Sequence, residues 1–381
     1  MHPFLQRLNA AVSARQEAGL GRTLLPVSER RGVYTVLDGR ELLDFSSNDF
    51  LGLAQDRDMA DRMGELCRRH GCGSGSSRLV TGTQTSTLEA EAALAAHFGY
   101  ESCLILGSGF LANLTLIATL FSAKDSLALD KRAHASTVAG VRHSGAAFHT
   151  FRHNRLSHLE KILRAHPVQA VLTESLFSMD GDSPDFAELG RLKDEFGFLC
   201  IVDEAHAFGA LGPGGRGLAR SAADVAVGTL GKAFGLFGAF ILCPAAVREY
   251  LIHFGQGFIY TTALPPWHGE MVLAMLDRVR GADDRRAHLG SLVRTARTLL
   301  GEVMPVRGEA HILALQAGGE GKSLELAAAL RREGVLAFAA RYPTVPLGEA
   351  MVRVNLTSGH TEEHIVILRD ALRRALGEEA K

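Results

Sequence analysis

Residues 198–209 read FLCIVDEAHAFG, a short apolar run that ends in charged and polar side chains. An uninterrupted apolar run of this length is typical of a strand that is buried on both faces of a parallel sheet. The run ends at Asp203, and His206 follows three residues later in the next loop. Ligands of open α/β sheets bind outside the carboxyl ends of the strands, so these two side chains indicate a functional site there.

Further along the chain, the hydrophobic segment Ala223–Val247 contains Lys232 near its centre. As a membrane span, the segment would carry a central lysine, which costs about 2.5 to 3.5 kcal/mol, and four glycines that weaken a helix. A buried strand, a loop and a second strand fit the segment better. The lysine must then be neutralised, paired or used chemically, because an isolated charge is costly to bury.

Apolar runs and helix-like segments alternate on both sides of these two motifs. The strand-like runs occupy 103–106, 170–173, 199–202, 225–227 and 239–242, and the helix-like segments include 88–98 and 186–196. Such alternation predicts an α/β fold with a mostly parallel sheet flanked by helices.

Three parts are expected along the chain. An N-terminal arm is predicted over 1–45, where residues 33–43 alternate around the turn Asp38-Gly39 as in a hairpin. The large domain is predicted over 46–264. From 265 to 381, amphipathic helices, short strands and a final helix from Thr361 predict a smaller C-terminal α+β domain.

The composition is that of an ordinary globular enzyme, with 46% hydrophobic and 22% charged residues. A net charge of -1 gives no electrostatic footprint for nucleic acid or an anionic membrane, so neither is an expected partner. The N-terminus has polar residues at every turn and lacks the apolar core of a signal peptide. Cys103, Cys200 and Cys243 lie inside apolar runs, which is typical of buried free thiols in a reducing compartment. We therefore expect a cytoplasmic protein.

Other motifs match familiar sites only in part. The segment CRRHGC at 67–72 has no second Cys/His pair at zinc-ligand spacing, so no metal is expected. GEGKS at 319–323 resembles a phosphate-binding loop, but Gln316 stands where that loop has its first glycine. GPGGRG at 212–217 matches a dinucleotide fingerprint, but it stands past the strand end and contains a proline, which favours a turn.

A strand-end acid, a nearby imidazole and a lysine between glycines are the groups that pyridoxal phosphate requires. Lys232 can form a Schiff base with the aldehyde of this cofactor and can transfer protons. Asp203 can pair with the ring nitrogen and keep it protonated, so that the ring accepts the electrons of a carbanion. His206 can donate to the phenolic oxygen of the ring.

A phosphate site is predicted where a strand-like run is followed by GSGFLAN at 107–113. Gly107 and Gly109 let the backbone approach an anion, and the start of the next helix supplies N–H groups and a positive dipole end. Thr229, three residues before the lysine, could add a hydroxyl. His134 follows another strand-like run and could lay its imidazole on a planar ring.

These residues also have ordinary structural explanations. Asp203 alone could cap a helix, His206 could satisfy a loop backbone, and a lone histidine such as His134 more often packs structurally. Lys232 is harder to explain in this way because its surroundings are apolar.

Taken together, the segments resemble the α-oxoamine synthase family of fold-type I pyridoxal-phosphate enzymes over nearly the whole chain. The matching segments are LDFSSNDFLGL, GCGSGSSRLVTGT, GSGFLAN, HAS at His134, TESLFSMDGD, VDEAHAFGALGPGGRG, GTLGKAFG, IYTTALPP and YPTVPLGEAMVRVNLT. The resemblance implies a transferase that joins a small amino acid to an acyl thioester and releases carbon dioxide. The glycine-rich segment is similar to that of members that use L-alanine and a pimeloyl thioester, carried on coenzyme A or acyl carrier protein, in biotin synthesis.

The resemblance also implies roles for individual residues. The catalytic set would be Lys232 as Schiff base, Asp203 on the ring nitrogen, His206 on the phenolic oxygen and His134 stacked on the ring. Further cofactor contacts would come from Gly109, Phe110, Ser178, Thr229, Thr261 and Thr262, the last two reaching the phosphate of the partner in a homodimer. The substrate would contact Arg22, Asn48, His134, Thr344 and Arg353, the last holding its carboxylate through a bidentate pair.

Several alternatives stay open at this point. Ala207-Phe208 follows His206 where the family commonly has a smaller pair such as Gly-Thr, which leaves the shape of the acyl pocket open. Arg353 could be a surface charge at a strand end. The chain could also be a sister synthase that uses glycine, such as glycine C-acetyltransferase, or a non-catalytic subunit on the same scaffold. A membrane-associated interaction protein built around the segment at Lys232 is a third possibility.

Overall fold

The computed structural model describes residues 2–377 of the chain. The helices are α1 Pro3–Glu17, α2 Arg57–His70, α3 Thr85–Phe98, α4 Gly109–Leu120, α5 Ala135–Ser144, α6 Leu156–Ala165, α7 Phe186–Phe196, α8 Ala245–Phe254, α9 Gln256–Ile259, α10 His268–Arg280, α11 Asp283–Gly301, α12 Glu320–Arg332 and α13 Glu362–Ala375. The strands are β1 Val27–Arg31, β2 Tyr34–Leu37, β3 Arg40–Asp44, β4 Ser102–Leu106, β5 Ser126–Asp130, β6 Ala147–Phe151, β7 Ala170–Glu174, β8 Leu199–Asp203, β9 Val225–Thr229, β10 Ala239–Cys243, β11 Val306–Arg307, β12 Ile312–Leu315, β13 Val335–Leu336, β14 Phe338–Ala340 and β15 Met351–Asn355.

The larger of two compact units, Asn48–Phe177 with Ser183–Arg286, is built on a seven-stranded sheet. Its strand order is β4-β10-β9-β8-β7-β5-β6, in which β9, β8, β7, β5 and β6 run parallel to one another. Only β10 is antiparallel to its neighbours, β4 and β9. Every residue of β7 and β10 is buried, as expected for strands that are covered on both faces.

Helices cover both faces of this sheet. Ile117 of α4, Val141 of α5 and Leu251 of α8 pack in one apolar cluster with the sheet. Leu159 of α6 and Leu189 of α7 pack in a second cluster with other sheet residues. The prediction of a mostly parallel sheet flanked by helices is therefore confirmed.

The smaller unit contains residues up to Ser47, Ser178–Asp182 and the chain from Ala287 onward. Its two four-stranded sheets have the orders β1-β2-β3-β13 and β11-β12-β15-β14. The predicted hairpin is present as β2 and β3, with Asp38 and Gly39 both at positive φ in the turn. Helix α13 begins after Thr361, which caps it, as the sequence predicts.

The limits of the two compact units differ from those of the predicted domains. The predicted arm, 1–45, falls in the smaller unit, and residues 265–286 fall in the larger one. The domain limits at 45 and 264 stay predictions.

The segment Ala223–Val247 contains β9, β10 and the start of α8, so the prediction of a strand, a loop and a second strand is confirmed. Within residues 2–377, no helix is both long and apolar enough to cross a bilayer.

Candidate active site

The carboxyl end of β8 places Asp203 between two parallel neighbours. Asp203 lies in register with Glu174 at the end of β7 and with Val227 of β9. Its Oδ1 accepts a hydrogen bond from the backbone N–H of Ala205 at 2.9 Å, and its Oδ2 accepts one from Nδ2 of Asn113 at 2.7 Å. Both carboxylate oxygens therefore have fixed donors, which hold the group in one orientation.

Lys232 lies in the loop that joins β9 to β10, half-buried, and its Nζ is 2.7 Å from Nε2 of His206. The loop is held closed because the N–H of Leu230 donates to the carbonyl of Gly238 at 2.9 Å. Buried His206 also lies beside the ring of Phe50, with 5.9 Å between ring centroids. Lys232 and His206, which the sequence predicts in one site, are therefore in contact.

The turn before α4 lies next to the end of β9. Ser108 caps the helix by accepting the N–H of Leu111 at 3.2 Å. A Cβ added at Gly109 would stand 4.0 Å from Cβ of Thr229, which places the helix start and the threonine side by side. A 12-residue helix that starts at a glycine, Gly109, beside a hydroxyl offers N–H groups and a positive dipole end to an anion. Phe110, in the first turn of α4, is half exposed.

His134 precedes α5 and accepts the N–H of Ser136 on its Nδ1 at 3.3 Å. The same Nδ1 is 2.7 Å from Oγ of Ser136. Burial lowers the pKa of His134, the negative charge of Asp203 opposes this, and the positive charge of Lys232 lowers the pKa further. Burial and the nearby Lys232 charge therefore disfavour the protonated imidazole.

Two buried acids beside Asp203 were missed in the sequence reading. Burial raises the pKa of Glu174 well above its ordinary value, with the Asp203 charge adding to the rise, and the His134 backbone donates a hydrogen bond that partly offsets it. Burial raises the pKa of Glu204 to about 7, against hydrogen bonds from Ser175 and from the N–H groups of Ala219 and Leu218. Glu174 is the last residue of β7, and Glu204 follows the last residue of β8. This position at a strand end is the pattern that could have singled them out.

The other predicted site residues of the larger unit lie in two places. Thr261 and Thr262 line a pocket together with Arg78 and Gly107. Thr262 also forms an isolated bridge with Ser77. Asn48 lies in a turn in which its carbonyl accepts the N–H of Phe50 at 2.8 Å.

Four predicted site residues belong to the smaller unit. Arg22 and Thr344 are exposed, and Ser178 begins the segment Ser178–Asp182. Arg353 is the middle residue of β15, which pairs with β12 on one side and β14 on the other. Its side chain is only 7% exposed, so the alternative of a surface charge is wrong. Burial lowers its pKa to about 10, which still leaves the guanidinium charged at neutral pH.

The departure at Ala207-Phe208 is part of the core. Ala207 is fully buried, and the ring of Phe208 stacks with Phe240 and packs on Phe98 at a centroid distance of 4.1 Å. The larger side chain therefore fills space under the sheet within the larger unit.

The residues at these strand ends fit pyridoxal phosphate. A lysine amine lies beside an imidazole, a carboxylate is held by two donors, and a glycine-lined helix start lies beside a hydroxyl. These groups would suit an aldehyde, a ring nitrogen and a phosphate, respectively. The fold and the site together define the class: a fold-type I pyridoxal-phosphate enzyme.

Comparison with known proteins identifies the family. The family model "Aminotransferase class I and II" matches residues 40–372. An 8-amino-7-oxononanoate synthase of Gluconacetobacter diazotrophicus is 40% identical, over 99% of this chain and 98% of that protein. The chain belongs to the aminotransferase class I and II family, in the group that holds the 8-amino-7-oxononanoate synthases.

Solved structures agree with this assignment. A crystal structure of 8-amino-7-oxononanoate synthase from Francisella tularensis shares 29% identity and a TM-score of 0.78, covering 88% of this chain and 98% of that one. A serine palmitoyltransferase from S. paucimobilis with a bound PLP–myriocin aldimine shares 25% identity and a TM-score of 0.90, covering 97% and 96%.

Proposed function

We propose that the chain is a pyridoxal-phosphate-dependent acyltransferase that makes 8-amino-7-oxononanoate for biotin synthesis. It joins L-alanine to a pimeloyl thioester. A carbon–carbon bond forms at the α-carbon as the carbon–sulfur bond breaks, and the alanine carboxyl group leaves as carbon dioxide. The observation that carries this proposal is the 40% identity to a named synthase over 99% of the chain, together with the Asp203, His206 and Lys232 arrangement.

The cofactor, when bound, supplies an aldehyde that takes up amines and a ring that withdraws electrons from the α-carbon. Lys232 would hold the aldehyde, Asp203 the ring nitrogen and His206 the phenolic oxygen, while His134 would cover the ring face. The phosphate would be held by Gly109, Phe110, Ser178, Thr229 and, from the partner of a homodimer, Thr261 and Thr262.

The proton steps fall to the Lys232–His206 pair. The Nζ and Nε2 atoms share one hydrogen bond of 2.7 Å, so the imidazole can keep the amine oriented and accept a proton from it. We infer that the amine removes the α-proton of alanine and returns a proton after the carboxyl group has left. The lowered pKa of His134 disfavours a second positive charge that would compete with Arg353 for the substrate carboxylate.

Binding of the amino acid is assigned to Arg353 and four further side chains. Arg353 would hold the carboxylate of the substrate, since a guanidinium can form a bidentate pair with a carboxylate. Arg22, Asn48, Thr344 and His134 would contact the remaining parts of the substrate.

We also propose a cytoplasmic location, supported by buried thiols at Cys103 and Cys200 with no disulfide among the described residues.

The proposal is tested by product analysis with the cofactor-loaded enzyme. L-alanine and pimeloyl-coenzyme A should yield 8-amino-7-oxononanoate in mass spectrometry, whereas glycine should yield little product. Replacing coenzyme A by acyl carrier protein decides the acyl carrier. Lys232→Ala is the control, and it should lose turnover while it keeps its circular-dichroism spectrum.

Two results would replace the proposal. Product from glycine in preference to alanine would make the chain a sister synthase. A chain that takes up the cofactor but yields no product with either amino acid would be a non-catalytic subunit on this scaffold.

A further inference from the structure

A buried hydrogen-bond chain connects Asp203 with His134 inside the larger unit. Nδ2 of Asn113 donates to Oδ2 of Asp203 at 2.7 Å and to Oγ of Ser136 at 3.0 Å. Oγ of Ser136 is in turn 2.7 Å from Nδ1 of His134. Asn113 is 3% exposed and Ser136 is fully buried, so water does not compete for these bonds. Helices α4 and α5, which carry the two residues, pack against each other.

The chemistry of the four groups fixes the direction of every bond. An ionised carboxylate only accepts, so the amide nitrogen of Asn113, and not its oxygen, must face Asp203. The second N–H of the same amide then donates to Ser136. The hydroxyl proton of Ser136 is left to donate to Nδ1 of His134, which already accepts the backbone N–H of Ser136. Nδ1 therefore accepts twice, and the ring proton must sit on Nε2.

We propose that Asn113 and Ser136 are positioning residues that set the orientation of Asp203 and the tautomer of His134 in one step. The inference rests on the proposed function, in which these two groups face the nitrogen and the face of the cofactor ring. The side-chain amide of Asn113 donates one N–H to Asp203 and the other to Ser136, which contacts His134. This amide therefore couples Asp203 to His134. Neither residue touches the reacting atoms, so the pair acts through its neighbours.

The tautomer is tested by ¹⁵N NMR of the histidine-labelled chain without cofactor, with a His134→Gln sample to assign the signal. The wild type should show His134 protonated on Nε2 alone. Ser136→Ala removes one oxygen and should give a mixture of tautomers. Thr115→Val is the matched control, since Thr115 lies on α4 near Asn113 and is buried. Its hydroxyl has no hydrogen-bond partner within residues 2–377, so the His134 signal should not change.

A second measurement follows Asp203. Asn113→Ala should weaken binding of pyridoxal phosphate about tenfold, because it removes a hydrogen bond to a charged group. Thr115→Val should bind the cofactor as the wild type does. If Asn113→Ala does not fold, Ser136→Ala in the same titration decides the question.

The inference is overturned if wild-type His134 carries its proton on Nδ1, or if neither the tautomer nor the cofactor affinity changes in the variants. These readouts need no substrate. An enzyme that proved to prefer glycine would fail the proposed function and still show the same tautomer, so the two failures are distinguishable.

Discussion

At the residue scale, three acids meet at the ends of β7 and β8. Glu174 and Asp203 are cross-strand partners, and Glu204 follows Asp203 directly. Burial raises the pKa of Glu174 well above its ordinary value and that of Glu204 to about 7. The raised pKa favours the neutral form of Glu174, which limits repulsion between neighbouring carboxylates. The sheet thus surrounds the proposed cofactor partner with acids that need not be charged.

Glu204 gives a pH-dependent contribution to stability whose sign follows from its pKa. The pKa of Glu204 in the folded chain, about 7, lies above its ordinary value of 4.5. At pH values between these two pKa values, the folded chain therefore binds more protons than the unfolded chain. The contribution is complete below the unfolded pKa and is lost as the pH rises through about 7. Relative to Glu204→Gln, the wild type should lose on the order of 2 kcal/mol of unfolding free energy between about pH 5 and about pH 8.

Urea unfolding of both proteins at the two pH values measures this difference. Glu65→Gln, on the exposed side of α2, is the matched control. The change with pH should be larger for the Glu204→Gln difference than for the Glu65→Gln difference. A Glu204→Gln difference that is constant over the range, or that grows with pH, would contradict the burial argument.

At the element scale, the sequence predicted most of the large sheet. The apolar runs at 170–173, 199–202 and 239–242 lie within β7, β8 and β10, because strands covered on both faces must be apolar throughout. The direction of β10 was not predicted. Nine residues separate β9 from β10, too few for a crossover to a parallel neighbour, so loop length contains that information.

The candidate site was predictable to the extent that its residues stand out in their own segments. Lys232, Asp203 and His206 interrupt or end apolar runs, and that is why the sequence singles them out. Asn113 and Ser136 look like ordinary helix residues, since their roles arise only when α4 and α5 pack together. Arg353 could not be told from a surface charge because its burial depends on the strands paired with β15.

The loop after β8 is anchored by Phe208, which packs on Phe98 and stacks with Phe240 of β10. Phe208→Ala should lower the unfolding free energy by about 3 to 5 kcal/mol, since a large buried ring leaves a cavity. The cofactor-loaded variant should keep its preference for alanine over glycine, because the ring fills the core. Urea unfolding and the two-substrate assay measure these outcomes.

Phe148→Ala is the control for this loss, because Phe148 is 43% exposed on β6 and its removal should cost little. Equal losses for the two variants would mean that the aromatic cluster does not stabilise the loop. If the Phe208→Ala variant preferred glycine over alanine as its substrate, the ring of Phe208 would instead take part in substrate selection.

At the scale of the whole molecule, the proposed homodimer has a consequence that a monomer cannot share. Thr262 lines a pocket with Arg78 and Gly107, and the proposal gives its hydroxyl to the phosphate held by the partner. Each complete site would then combine Lys232 of one protomer with Thr262 of the other. Two variants that are defective in different protomers could therefore repair each other.

Lys232→Ala and Thr262→Ala chains, each of low activity, should regain activity when they are unfolded, mixed and refolded together. In a hybrid dimer, the Thr262→Ala protomer keeps its own lysine and receives an intact threonine from the Lys232→Ala protomer, so one of its sites is complete. Random pairing makes about half of the dimers hybrid, and activity should approach about a quarter of the wild-type value. Light scattering checks that the refolded species is a dimer of 40.9 kDa chains. If Thr262 served the site of its own chain, every site in the mixture would lack one of the two residues, and refolding together would restore nothing.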